Sequence, residues 1–239
     1  MGREFVFVHG MSHGAWCWRT LCDRLDRRGH RTLAVDLPGH GARAHEWRRA
    51  SVGTYAAAVA DAMAQAGFSA AVVVGHSMAG VVLPKVAERA SARVAHLVFL
   101  AAVVVPSGAS LLETHLAPPA RALLRGLARS GGGRVQYPAV LEHARWMGQL
   151  APGDPRVVDA LIRLTPQPLR PWTERVDCRR FSALRVPRTY VRCLRDAAVV
   201  PAKAAEYAAR LGVTPVDLDT DHGPMLSDPE ALARILEAL

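Results

Sequence analysis

The sequence has very little lysine, although it is strongly basic. Arginine supplies nearly all of the cationic charge, since Lys85 and Lys203 are the lysines, and Lys plus Arg exceed Asp plus Glu by 30 − 21 = 9. The arginines are scattered, with no block of like charge and no alternation of basic and aromatic residues. Proteins that bind nucleic acids or membrane surfaces concentrate their charge. We therefore expect neither partner, and either a solvated arginine-rich surface or a site for an anionic ligand.

Long hydrophobic runs and paired cysteines are also missing. No stretch approaches the roughly 18 apolar residues of a membrane-spanning helix, and no secretory-signal pattern follows Met1. The cysteines have neither Cys-x-x-Cys spacing nor a histidine at metal-ligand spacing. They are Cys17, Cys22, Cys178 and Cys193. We expect a cytoplasmic protein with free thiols, no metal and no organic cofactor.

Six short apolar or β-branched segments alternate with helical patterns. Several are apolar at consecutive positions, which is typical of parallel strands covered on both faces. The predicted strands are residues 5–8, 32–35, 71–74, 96–101, 189–193 and 215–218. The predicted helices are residues 16–28, 54–66, 78–89, 201–211 and 229–239, and Ser227 with Glu230 predicts a capping box for the last. This alternation predicts an α/β fold with a doubly wound, mostly parallel six-stranded sheet.

Residues 107–185 interrupt the alternation. They show no strand pattern, and a structureless loop of that length is improbable in a compact domain. Three helical patterns lie within them, at residues 119–129, 137–149 and 154–164. We predict a helical cap inserted between the fourth and fifth strands. The expected division is residues 1–106 for the first part of the core, 107–185 for the cap and 186–239 for the second part of the core.

Residues 75–80 (GHSMAG) carry the strongest signal for chemistry. They follow a predicted strand and precede a predicted helix, as does the Gly-x-Ser-x-Gly turn that presents a nucleophilic serine. On such a turn the hydroxyl projects away from the sheet, and small residues two before and three after the serine let the backbones approach. Ser77 is therefore the candidate nucleophile. The alternative is an ordinary serine in a glycine-lined turn.

A serine hydroxyl needs a base, and His222 is the candidate. It follows the last predicted strand, and the carboxyl ends of strands are where catalytic groups gather in open α/β sheets. Asp196, which follows the fifth strand, is the candidate carboxylate that orients the imidazole. Asp219 and Asp221 are alternatives nearer in sequence to the histidine. The chain order nucleophile, acid, base is that of this architecture.

Acyl transfer also needs N–H donors aimed at the developing oxyanion. The residue after the nucleophile, Met78, supplies one backbone amide. The loop after the first strand is expected to supply the second from Met11, because Gly10 permits a tight backbone there. The loop and the cap together are expected to line the substrate pocket. The candidate pocket residues are Gly10, Ser12, His13, Trp146 and Trp172.

The sequence resembles the α/β-hydrolases, and more narrowly the plant methylesterase and hydroxynitrile lyase branch with its bacterial relatives. The matching stretches are residues 5–18, 35–41, 75–80, 96–101, 190–196 and 221–222. The resemblance implies the short form of the fold and a cofactor-free enzyme. It implies Ser77, Asp196 and His222 as a catalytic triad, with the amides of Met11 and Met78 as oxyanion donors.

The lyases of that branch differ from this sequence at two places. They carry threonine at the position of Gly10 and lysine at that of Gly223, directly after the base. Without that lysine, a departing cyanide would lack a stabilising cation. His76 before the nucleophile also matches the esterases. The resemblance therefore favours ester hydrolysis over cyanohydrin cleavage.

We predict a serine hydrolase that cleaves a small or medium carboxylic ester through an acyl-enzyme. One alternative is a lyase, cyclase or acyltransferase that uses the same triad without hydrolysis. Another is a ligand-binding receptor, because fold alone does not decide function. The expected partner is the small-molecule ester, and a homodimer is left open.

Overall fold

A six-stranded parallel sheet forms the centre of the structure, a computed structural model that describes residues 2–239. Its strands β1 to β6 are Glu4–Val8, Arg31–Val35, Ala71–His76, Val94–Leu100, Arg188–Cys193 and Val216–Leu218. Across the sheet they lie in the order β2-β1-β3-β4-β5-β6, and every neighbouring pair is parallel. The chain starts near one edge and winds outward in both directions. The doubly wound parallel sheet predicted from the sequence is confirmed.

The central strands are apolar at consecutive positions because both faces of the sheet are covered. Along β1, Phe5 and Phe7 pack into one core, while Val6 and Val8 pack into the other. This separation follows from the two-residue period of a strand, which points successive side chains to opposite faces. All six residues of β3 are buried. In β1 and β3 the polar residues Glu4 and His76 therefore stand at the strand ends, and the candidate site residues follow the carboxyl ends of the strands.

Helices cover both faces of this sheet and fill the segment between β4 and β5. Helices α1 to α12 are Arg19–Arg27, Val52–Gln65, Leu83–Ala90, Leu111–His115, Pro118–Ser130, Ala139–Trp146, Pro155–Arg163, Arg170–Thr173, Arg179–Ala183, Pro201–Leu211, Pro224–Ser227 and Pro229–Glu237. Four segments form 3₁₀-helix: Ala15–Trp18, Gly41–Arg49, Ser77–Val81 and Ser91–Arg93. Within residues 2–239, no helix is both long enough and apolar enough to cross a bilayer.

Residues 107–185 contribute helices α4 to α9, together with strand pairs that the sequence did not predict. Ala109–Ser110 pairs with Arg175–Val176, and Arg134–Val135 pairs with Gln167–Pro168, both antiparallel. Each pair is two residues long, too short for the alternation that identifies a strand in sequence. The first pair ties the two ends of the segment together. The division of the chain into core and cap stays a prediction.

The capping box predicted at the start of α12 is wrong. Asp228 caps this helix, because its side chain accepts a hydrogen bond from the backbone N–H three residues later, at 2.9 Å. Ser227 instead ends α11 and donates its hydroxyl to Asp221 at 2.8 Å. The Glu230 carboxylate binds Arg28 at 2.7 Å. Asp221, six residues earlier in the chain, and Arg28, far away in sequence, therefore take the two side chains that the local pattern assigned to the cap.

The packing of Gly80 generates a stability prediction. A Cβ added there would lie 2.4 Å from the carbonyl oxygen of Val103, so Gly80→Ala must move backbone. We expect this substitution to lower the free energy of unfolding by about 1–3 kcal/mol. The matched control is Gly126→Ala within α5, where no heavy atom lies within 4 Å of the added Cβ. It should raise stability by up to about 1 kcal/mol. Urea denaturation distinguishes the two variants, and equal stabilities would contradict the account.

Candidate active site

Ser77 directly follows β3 and is the first residue of the 3₁₀ segment Ser77–Val81, so it stands at a tight turn from strand to helix. Its φ of 54° lies in the left-handed region, which non-glycine residues rarely adopt and which costs conformational energy. A Cβ at Gly75 would lie 2.7 Å from the Leu83 side chain, so the turn requires glycine or a displaced leucine there. Ala79 occupies the place of the second glycine in the Gly-x-Ser-x-Gly pattern, and Gly80 makes the close backbone approach instead.

Ser77, His222 and Asp196 form a continuous chain of hydrogen bonds. The Ser77 Oγ lies 2.9 Å from His222 Nε2, and His222 Nδ1 lies 2.7 Å from Asp196 Oδ2. The other carboxylate oxygen accepts hydrogen bonds from the N–H groups of Ala198 and Val199, both at 2.7 Å. Because the carboxylate accepts from Nδ1–H, the Nε2 lone pair faces the serine hydroxyl. This is the tautomer that a general base requires.

The sheet topology explains how residues so distant in sequence meet. Ser77 follows β3, Asp196 follows β5 and His222 follows β6, and parallel strands end at the same edge. The alternative carboxylates have other partners. Asp219 pairs with Arg195 at the surface, and Asp221 accepts from Ser227 and from the backbone of Gly223. Asp196 is the carboxylate that reaches the imidazole.

The loop after β1 passes directly against the serine. A Cβ at Gly10 would lie 2.9 Å from Ser77 Cβ and 2.9 Å from His76 Nδ1, so the backbone is as close as glycine allows. The amide N–H of Met11 donates to no acceptor within residues 2–239. Met78 is the second residue of the 3₁₀ segment Ser77–Val81, and the first amides of a helix lack intrahelical partners. Both amides fit the predicted oxyanion role, which stays a prediction.

A cavity of about 20 Å³ lies over Ser77. This volume holds about one water molecule, so an ester substrate must displace side chains to enter. Six of the lining side chains come from the segment between β4 and β5. They are His115, Leu116, Tyr137, Arg145, Trp146 and Trp172. Trp146 and Trp172 were predicted to line the pocket, whereas the other four carry no sequence motif.

Gly10, Ser12 and His13 were also expected to line the pocket, but they are not among the residues that line this cavity. The Ser12 N–H donates to the Gln167 side chain at 3.1 Å, and the Ser12 carbonyl accepts from the Thr165 N–H at 2.9 Å. The His13 ring donates from Nδ1 to the Met11 carbonyl at 2.7 Å. These bonds fix the loop after β1 against the segment between β4 and β5.

His76 makes a contact that the sequence did not reveal. Its Nε2–H donates to the backbone carbonyl of His222 at 2.8 Å, and the two ring centroids lie 4.5 Å apart. Its position directly before Ser77 is the signal that could have drawn attention to it. Because this side chain belongs to β3, the hydrogen bond connects the strand that carries the nucleophile to the loop that carries the base.

Several further histidines around the site are uncharged near neutral pH. Burial lowers the pKa of His13, His40 and His115 to about 4, and it lowers the pKa of His9 and His76 well below the usual range. Their rings therefore add no positive charge beside the candidate base.

Comparisons with known proteins agree with this geometry. A family model described as "Alpha/beta hydrolase family" matches residues 5–235. "Probable esterase PIR7A" from Oryza sativa subsp. indica is 42% identical over 111 residues, which is 45% of this chain and 41% of that protein. "Putative methylesterase 14, chloroplastic" from Arabidopsis thaliana is 27% identical over 247 residues, 98% of this chain and 71% of that protein. The chain spans less than half the length of the rice esterases that it matches.

Solved structures show the same fold. One is described as "Extracellular alpha/beta-hydrolase from Paenibacillus species shares structural and functional homology to Tobacco Salicylic Acid Binding Protein 2". It superposes with a TM-score of 0.90 at 21% identity and covers 99% of this chain and 98% of that one. The methylesterase MES16 from Arabidopsis superposes with a TM-score of 0.79 at 22% identity. The match covers 99% of this chain and 98% of that one.

The buried histidines generate a prediction about stability and pH. An unfolded histidine titrates near pH 6.5, whereas His13 and His40 titrate near 4 when folded. The folded state binds fewer protons between these values, so stability is complete above about pH 6.5 and is lost as the pH falls. We expect the free energy of unfolding in urea to fall by about 2 kcal/mol per such histidine from pH 7 to pH 5. His40→Gln should remove part of this slope, and a flat profile would contradict the burial.

Proposed function

The chain belongs to the alpha/beta hydrolase family, and on that basis we propose that it is a serine hydrolase that cleaves a carboxylic ester through an acyl-enzyme on Ser77. One observation carries the proposal: Ser77, His222 and Asp196 are joined at 2.9 and 2.7 Å. Esterase and methylesterase relatives support the same reaction class. Ser77 is half-buried and borders the cavity, so a substrate carbonyl that displaces the lining side chains meets the serine hydroxyl.

The proposed reaction begins when Ser77 Oγ attacks the ester carbonyl carbon while its proton passes to His222 Nε2. Asp196 stabilises the imidazolium that forms. The carbonyl oxygen becomes an oxyanion, which the amides of Met11 and Met78 receive. His222 then gives its proton to the alkoxy leaving group, so the alcohol departs and the acyl-enzyme remains. A water molecule, deprotonated by His222, attacks the acyl carbon, and the carboxylic acid leaves as Ser77 regains its proton.

The structure around two glycines favours hydrolysis over cyanohydrin cleavage. A Cβ at Gly223 would lie 2.8 Å from the carbonyl oxygen of Trp146, which is backbone and cannot rotate away. A Cβ at Gly10 would lie 2.9 Å from the nucleophile's own Cβ. The lysine and threonine that the lyases carry at these positions therefore have no room here. Both departures from the lyase pattern have a steric cause.

Labelling with an active-site-directed phosphonate tests the proposal. The wild-type protein should be labelled at Ser77 and should hydrolyse p-nitrophenyl acetate, with kcat/KM rising with pH because the imidazole must be neutral to accept a proton. Ser77→Ala should take no label and should lose at least about 1000-fold in kcat. Ser130→Ala, which changes an exposed serine of α5, is the matched control and should behave as wild type.

Three outcomes of that experiment would contradict ester hydrolysis. If the wild-type protein took no label, Ser77 would not be a reactive nucleophile. The protein could instead be labelled but turn over no methyl, aryl or lactone ester when the products are measured by mass spectrometry. That result would favour a non-hydrolytic reaction. Ligand binding that survives in Ser77→Ala, in a protein that is never labelled, would favour a receptor.

A further inference from the structure

Arg145 is a cation placed over the candidate nucleophile. It lies in α6, is half-buried, and lines the cavity that Ser77 borders. Its charge lowers the pKa of His115 and opposes the rise that burial causes in the pKa of Tyr137, and both of these side chains also line the cavity. The positive field of the guanidinium therefore reaches the space that a substrate would occupy.

Arg145 differs from the other half-buried arginines because it has no partner. Within residues 2–239, it makes no hydrogen bond, ion pair or stacking contact with an aromatic ring. Each of the other half-buried arginines has such a partner in that range. Carboxylates bind three of them, backbone carbonyls bind four, and Arg134 lies over the Trp47 ring. A partly desolvated guanidinium without an acceptor has donors available for a ligand.

Among residues 2–239, no carboxylate forms an ion pair with Arg145. Glu142 lies one helical turn earlier on α6, yet the two side chains form no ion pair among the described residues. Burial raises the pKa of Glu142 to about 7, so part of the population is uncharged near neutral pH. Asp196 is occupied by His222 and by two backbone amides. The cavity therefore combines a nucleophile with an uncompensated cation.

We propose that Arg145 makes the protein selective for esters that carry a second, anionic group, a carboxylate, which the guanidinium binds while Ser77 attacks the ester carbonyl. This inference rests on the proposed function and specifies its substrate class. A guanidinium binds a carboxylate through two parallel N–H donors, and such charge-assisted bonds are stronger than neutral ones. A net charge of +9 would also steer anionic substrates to the protein.

Two matched pairs of esters test the selectivity. In the first pair the acyl part carries the charge: mono-(4-nitrophenyl) adipate is compared with 4-nitrophenyl hexanoate, which has a methyl group in place of the carboxylate. In the second pair the alcohol part carries the charge: 4-acetoxybenzoate is compared with its neutral isostere 4-acetoxybenzamide. For each pair, the measured quantity is the ratio of kcat/KM for the anionic ester to kcat/KM for the neutral ester.

The variants separate binding by Arg145 from general electrostatics. Arg145→Met should lower the ratio by about 10- to 100-fold in at least one pair, because it removes a charge-assisted hydrogen bond. Arg145→Lys keeps the positive charge but cannot form the bidentate hydrogen bonds, so it should retain part of the selectivity for the anionic ester. The matched control is Arg27→Met on α1, which removes the same net charge from an exposed position and should change the ratio less than about threefold.

A binding measurement keeps this inference separate from the proposed function. Ser77→Ala should bind 4-acetoxybenzoate more tightly than 4-acetoxybenzamide in titration calorimetry, and adding Arg145→Met should remove the difference. If wild type hydrolyses the esters but neither ratio depends on Arg145, the inference is wrong and the proposed function stands. If no ester is hydrolysed, the proposed function fails. The inference is also overturned if Ser77→Ala binds both acetoxy compounds equally and no kcat/KM ratio depends on Arg145. This conclusion holds whether or not the wild-type protein hydrolyses the esters.

Discussion

The hydrogen bond between Ser77 Oγ and His222 Nε2 is the contact on which the proposed chemistry of this protein depends. Its 2.9 Å length requires the ends of β3 and β6 to lie at the same edge of one parallel sheet. The bond from His76 to the His222 carbonyl connects those two ends a second time. Asp196, fixed by two backbone amides, then holds the imidazole from its other side. The three side chains are therefore positioned by strand ends and loops whose own backbone groups are hydrogen-bonded.

The charge distribution of the site follows from burial. His13 and His76 are neutral near pH 7 because burial lowers the pKa of their rings, so they fill space beside His222 without adding positive charge. The strain of a left-handed φ at Ser77 is tolerated because glycines allow the backbones around it to pack closely. Arg145 is the arginine that lines the cavity, and it has no ion-pair partner within residues 2–239.

Local patterns predicted the strands, the serine turn and the residues after β5 and β6, because burial on both faces and strand ends leave signals within a few residues. The hydrogen bond from His76 to the His222 carbonyl leaves no such local signal, because the two residues are far apart in the sequence. The cavity side chains Tyr137 and Arg145 were missed because the segment between β4 and β5 carries no motif. The α12 cap was mispredicted because Ser227 binds Asp221 and Glu230 binds Arg28 instead, and the local capping pattern does not register these partners.

A crystal structure of the protein after reaction with a phosphonate ester tests the central claim most directly, because the adduct imitates the tetrahedral intermediate. The account predicts phosphorus bonded to Ser77 Oγ and one phosphonyl oxygen about 2.7–3.1 Å from the amide nitrogens of both Met11 and Met78. His222 Nε2 should remain within hydrogen-bond distance of the adduct. An adduct on another residue, or a phosphonyl oxygen that points away from both amides, would contradict it.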